Sequence, residues 1–106
     1  MKEFTTKEQS RELAEIFSIK SADRLGEEFE EAWSVKALLE LLPKDEYRMW
    51  HMSFGHYNDD DIYVPEWYIG MIDSSHNENR IIESCGDDLI DVIYEVLLKI
   101  NHGKNI

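Results

Sequence analysis

The sequence predicts an α+β fold: an N-terminal helix, then an α-β-β-β-α core in which a three-stranded antiparallel meander is packed by helices. Three observations predict it. Two segments, Ser34–Pro43 and Asp87–Gly103, repeat apolar residues at helical spacing between start and stop signals. Between them, a single antiparallel register brings almost every large apolar residue of positions 48–54 opposite one of positions 65–71. The chain of 106 residues is the size of one domain, 1–106, with room for one core. Within it, residues 1–32 read as a helical arm and 33–102 as the αβββα core.

The elements follow in order. Thr6 with Gln9, or Thr5 with Glu8, has the spacing of a capping box, and Leu13, Ile16 and Phe17 give the first helix, Lys7–Phe17, one apolar face. A short turn over Ser21–Leu25, capped by Ser21, leads into the acidic Gly26–Glu31 stretch, read as a solvated linker. Ser34 caps the second helix, whose Val35, Leu38, Leu39 and Leu42 share a face. Trp33 precedes the cap and can pack on Leu38 as a hydrophobic staple, and Pro43 stops the helix. The last helix takes its cap from Asp87 or Asp88 and carries a stripe of Leu89, Val92, Ile93, Val96, Leu97 and Ile100.

For the strands, treating His56–Tyr63 as a hairpin loop pairs Trp50 with Ile69, Met52 with Trp67, Phe54 with Pro65 and Arg48 with Met71. That register turns Trp50, Met52, Trp67 and Ile69 toward Leu38, Leu42, Val92, Val96 and Leu97. The other face then carries Tyr47, Met49, His51 and Ser53 against Ile72, Gly70, Tyr68 and Glu66. Arg80–Cys85 supplies the third strand after a polar Asp73–Asn79 loop.

Charge and composition exclude several functions. With 42% hydrophobic residues the chain is a folded domain, and its formal net charge of −12 arises from 23 acidic and 11 basic residues. The basic residues are scattered, so direct nucleic-acid binding and attachment to anionic membranes are disfavoured. Double-stranded-RNA binding is rejected for the same reason, because the last helix begins Asp87-Asp88 and carries Asp91 and Glu95. No secretory signal or membrane-length apolar run is present, and Cys85 is the only cysteine. A cytoplasmic location is the expectation.

The triple aspartate in His56-Tyr57-Asn58-Asp59-Asp60-Asp61-Ile62-Tyr63 lacks the spacing of a calcium loop, and Asn and Asp favour turns, so it reads as a hairpin tip and not as a metal site. His51 and His56 lie five apart in one strand and its loop, which places them on opposite faces, and no paired-histidine metal motif occurs. Cys85 reads as a small buried residue closing the third strand, with no base near it in sequence. Glycines are isolated, and no phosphate loop or nucleophile elbow is present. No catalytic residue, cofactor or metal is expected, and the protein reads as a non-enzyme.

TTKEQSRELAEI, IKSADRL, AWSVKALLELLP, YRMWHMSF and GDDLIDVIYEVLLKI in this order resemble a group of small uncharacterised proteins of gut anaerobes and their phages or mobile elements. The layout from Ser34 to Ile100 is also similar to phage ABA-sandwich domains. The resemblance implies a fold and a phage or prophage setting, and it brings no catalytic residue. Two function classes follow: an interaction module binding a protein partner or a second copy of itself, and an acidic nucleic-acid mimic directed at a basic DNA- or RNA-binding protein. Tyr47, Met49, His51, Glu66, Tyr68 and Ile72 form the expected partner surface, unless the first helix covers that side of the sheet.

Overall fold

A computed structural model describes residues 2–43, 47–73 and 80–104, with residues 47–50, 73, 80, 103 and 104 described by their backbone alone. The elements are α1 (Lys7–Ile16), β1 (Arg24–Leu25), β2 (Glu31–Ala32), α2 (Val35–Leu41), β3 (Tyr47–Tyr57), β4 (Tyr63–Asp73), β5 (Arg80–Gly86) and α3 (Leu89–Lys104). The fold is α+β, and β3-β4-β5 form an antiparallel meander with β4 in the centre. The expected Asp73–Asn79 loop lies, beyond Asp73, outside the described residues.

Of the two capping boxes open to α1, Thr6 with Gln9 is the one that forms. The Gln9 amide donates to Thr6 Oγ1 at 3.2 Å and the Thr6 amide donates to Gln9 Oε1 at 3.0 Å. Thr5 is thereby left to bind elsewhere: its Oγ1 accepts from the Trp33 amide at 3.0 Å, and its own amide donates to the Trp33 carbonyl at 3.0 Å. Trp33 is fully buried, and its indole Nε1 donates to Ser21 Oγ at 2.9 Å, which satisfies the one polar atom a buried tryptophan brings. Ser18, not Ser21, caps the short 3₁₀ turn that follows α1.

The acidic stretch expected to be a solvated linker is a small hairpin. Arg24 pairs with Ala32 and Leu25 with Glu31 across a tip at which Glu28 and Phe29 both adopt left-handed backbone, φ 55° and 60°. Ala32 is buried beside Trp33, which explains the pairing: burial of the Ala32–Trp33 backbone requires partners for its polar groups. Ser34 caps α2 through the Ala37 amide, and Asp23 in turn accepts from both the amide and the hydroxyl of Ser34. Asp88 is the residue that caps α3, accepting from the Ile90 amide at 3.1 Å and from the Lys2 amide at 2.8 Å.

All three α-helices lie on one side of the sheet. Leu13 of α1 joins Trp33, Leu38, Ile69, Met71, Ile82, Ile90, Ile93 and Leu97 in a single buried cluster. Polar contacts fix α1 alongside α3: Gln9 donates to Asp91, Lys2 pairs with Asp91, and the Tyr94 hydroxyl donates to Glu12 at 2.6 Å. Thus α1 does not cover the far side of the sheet.

The hairpin register departs from the expected one at two places. Arg48 pairs with Ile72 and Met49 with Met71, then His51 with Gly70, Met52 with Ile69 and Phe54 with Trp67, then His56 with Val64. The extra residue at Trp50 and the irregularity at Gly55 shift the ladder, and a bulge changes which residues share a face. Ile69 is buried as expected, and Trp67 packs partly against the core. Met52 and Phe54 stay 43% and 56% exposed, because α3 packs over β5 and β4 and leaves the β3 edge bare. The Trp50 side chain lies outside the described residues.

Two predictions follow from this packing. Trp33→Ala should cost about 3–5 kcal/mol, the range for a buried aromatic, whereas Met52→Ala should leave the denaturant midpoint nearly unchanged; equal losses in chemical denaturation would refute the assignment of Trp33 as the arm's anchor. The second concerns acid. Burial raises Asp91 and Asp23, but hydrogen bonds from Lys2 and Gln9 to the former, and from Ser34 to the latter, bring both below the usual carboxylate value. A depressed carboxylate stabilises the fold above its unfolded pKa of about 3.9, and that contribution is lost as pH falls through the lower folded value. Melting temperature should therefore drop as pH falls below about 4, and Asp91→Asn with Asp23→Asn should flatten that slope.

Candidate functional site

The face of the sheet opposite the helices is built by alternation along β4 and β5. Glu66, Tyr68 and Ile72 project there between the helix-facing Trp67, Ile69 and Met71, and the ladder places Tyr68 beside Cys85 and Ile72 beside Ile81. β3 adds His51 and Ser53, opposite Gly70 and Tyr68. Ile81 remains 48% exposed at the edge strand.

His56 joins this face through the hairpin irregularity. Gly55 has φ +88°, and a Cβ there would lie 2.2 Å from Tyr63 Oη, so glycine is favoured and a larger residue would be strained. Opposite it, Pro65 lies at the step where the ladder slips, where no inter-strand N–H is needed. The ladder slips by one residue here, with Gly55 alone opposite Pro65 and Glu66, and the His51 and His56 rings, expected on opposite faces, both approach Tyr68, with ring centroids 5.9 and 5.5 Å away.

The loop beyond is a turn organised by Asn58. Its Oδ1 accepts from the Asp60 and Ile62 amides at 2.9 and 3.0 Å, and Asp61 takes left-handed backbone. This is the turn chemistry expected of the stretch. The strands reach further than expected, to Tyr57 and from Tyr63.

Glu66 is the centre of the site. His56 Nε2 lies 2.9 Å from Glu66 Oε1, and the Cys85 sulfur lies within 4.8 Å of both. The hydrogen bond from His56, reinforced by the interaction with Cys85, holds Glu66 below the ordinary value for glutamate. Cys85 responds in the opposite direction: partial desolvation of this exposed residue, then its interaction with Glu66 and the charges of Glu83 and Glu95, push its thiol up. Tyr68 is pushed up to about 12 by burial and by its 2.6 Å hydrogen bond to Glu83. Around the β5 edge, Ser84 donates to Glu95 and Lys99 donates to the Glu83 carbonyl at 2.7 Å. An open cleft of about 680 Å³ runs past His56, Asn58, Asp59, Tyr68, Cys85 and Glu95.

A thiol nucleophile needs a base that takes its proton, whereas partial desolvation and the charges of Glu66, Glu83 and Glu95 favour the protonated thiol of Cys85. The three donors do converge: His56, Glu66 and Cys85 offer ligand atoms all within 4.8 Å of one another.

The structure brings His51, Glu66, Tyr68 and Ile72 of the expected surface together and adds His56, Ile81, Glu83 and Cys85. Tyr47 and Met49 were expected opposite Ile72 and Gly70; they pair with Asp73 and Met71, and their side chains lie outside the described residues. Cys85, expected to be buried, is exposed, since β5 is an edge strand and the residue faces away from α3. The signals that could have found His56 were Gly55 and Pro65, each out of place inside a strand and each a mark of a bulge. Compared with known proteins, the chain matches no family model, no curated protein and no solved structure.

Because partial desolvation and the carboxylates around it push the thiol up, Cys85 should react slowly with iodoacetamide at neutral pH, although it is exposed. Glu66→Gln should raise the alkylation rate severalfold. An unchanged rate, followed by intact mass, would show that the carboxylate does not control the thiol.

Proposed function

We propose that this protein is a non-enzymatic interaction module, which binds a basic protein partner on the helix-free face of its sheet. The observation that supports the reading is the exposure of Ile81 beside Ile72 and Tyr68, on a face bordered by Glu66 and Glu83 and with all three helices on the other side. An apolar centre within a charged rim is the usual anatomy of a recognition surface. The sign of the rim, and the chain's net charge of −12, select a positively charged partner and speed its encounter. They also work against nucleic acid and anionic membranes as direct ligands.

No helix among the described residues is long and apolar enough to cross a membrane. The sequence resemblance to small proteins of gut anaerobes and their phages suggests a cytoplasmic, mobile-element setting, in which the partner would be a host or phage protein.

Affinity capture from host lysate with the wild-type protein and with Ile81→Asp tests the reading. A basic protein should be retained by the wild type, weakened but not eluted by moderate salt, and lost from the variant. Three outcomes would overturn it: identical capture by both proteins, release of the partner by duplex DNA, which points to a nucleic-acid mimic, and sedimentation as a dimer that Ile81→Asp dissociates.

A further inference from the structure

We propose that His56, Glu66 and Cys85 form a binding site for a thiophilic divalent transition metal, with zinc the best match. Three strands each contribute one donor, an imidazole nitrogen, a carboxylate oxygen and a thiol sulfur, and all three atoms fall within 4.8 Å of one another. Zinc bonds of about 2.0–2.3 Å place tetrahedral donors roughly 3.3–3.8 Å apart. The observed set therefore needs only side-chain adjustment to surround an ion, with water as the fourth ligand.

Donor chemistry narrows the choice. One carboxylate oxygen is too few for calcium or magnesium, which require several hard oxygen ligands, whereas sulfur and imidazole suit zinc and its first-row neighbours. The imidazole nitrogen already lies 2.9 Å from the carboxylate, and the thiol sulfur is within 4.8 Å of both, so the three donors surround a common point. On binding, the thiol proton leaves to solvent and the thiolate, imidazole and carboxylate each donate a lone pair to the ion.

The backbone supports the same reading. Gly55, whose φ of +88° favours glycine, stands at the ladder slip next to His56, which lies 2.9 Å from Glu66. Bulges recur where a strand must re-aim a functional side chain. The surrounding Glu83, Glu95 and Asp59 add negative potential at the cleft, which raises the local cation concentration. The inference is independent of the docking reading, since the ion would bind in the absence of any partner.

Titration with cobalt(II) and zinc(II) chloride under a non-chelating reductant tests it. Cobalt should bind one equivalent and produce a near-ultraviolet sulfur-to-metal charge-transfer band, which zinc displaces and excess magnesium does not. Cys85→Ser should abolish the band, and His56→Gln and Glu66→Gln should each weaken zinc at least tenfold by calorimetry. Asp59→Asn with Asp60→Asn and Asp61→Asn should leave affinity unchanged. Absence of the band in the folded wild type, or zinc affinity that survives Cys85→Ser but falls in the aspartate variant, would overturn the proposal.

Discussion

The fold depends on the burial of Trp33 together with its polar atoms. Removing the indole from water is favourable, but Trp33 stands in a segment whose backbone is also buried, and buried N–H and C=O groups need partners. The N-terminal arm supplies them: Thr5 pairs with the Trp33 backbone in both directions, and Ser21 takes the indole N–H. Thr5 is fixed in turn by Ser10, whose hydroxyl lies 2.7 Å from its own. No buried side-chain nitrogen or oxygen among the described residues lacks a partner. The position of α1, and with it Leu13 in the core and Gln9 on Asp91, follows from that clasp.

The same clasp explains why the sheet has an open face. The arm could in principle have crossed the meander and closed a third layer. Its hydrogen bonds to Trp33 and Asp88 instead hold it beside α3, and only Leu13 of its helix is apolar and fully buried. The apolar supply of α1 is too small to cover a second face, so Ile72, Ile81 and Tyr68 stay where solvent or a partner can reach them.

What was legible in the sequence was whatever rests on local rules. Capping spacing gave α1, Ser34 gave the start of α2, the apolar stripe gave α3, and Asn58 with the aspartates gave the hairpin tip. Trp33 was legible only as a staple, since nothing local shows that a turn from twelve residues earlier reaches its indole. The register was legible to within a residue or two, and there the error mattered. Strand periodicity is two, so one slipped residue transfers a side chain to the opposite face. Counting from His51 by simple alternation separated it from His56, while the ladder slips by one residue opposite Gly55 and brings both rings to Tyr68. Cys85 and Glu66 come from different strands, and their meeting is a property of the ladder that no local pattern carries.

Glu66 shows how a shared neighbour sets the character of two reactive groups. Had the imidazole stood between carboxylate and thiol, the carboxylate would have raised the imidazole's basicity and the imidazole would have drawn off the thiol proton, as in thiol hydrolases. Here the carboxylate neighbours both groups: His56 hydrogen-bonds to it, and its charge, added to partial desolvation, helps to push the Cys85 thiol up. The same three residue types therefore give a nucleophile in one order and a quiet thiol in the other. In the quiet order the carboxylate gains from any cation that can sit among the three donors, and a divalent ion with affinity for sulfur does so while keeping all three side chains on one centre.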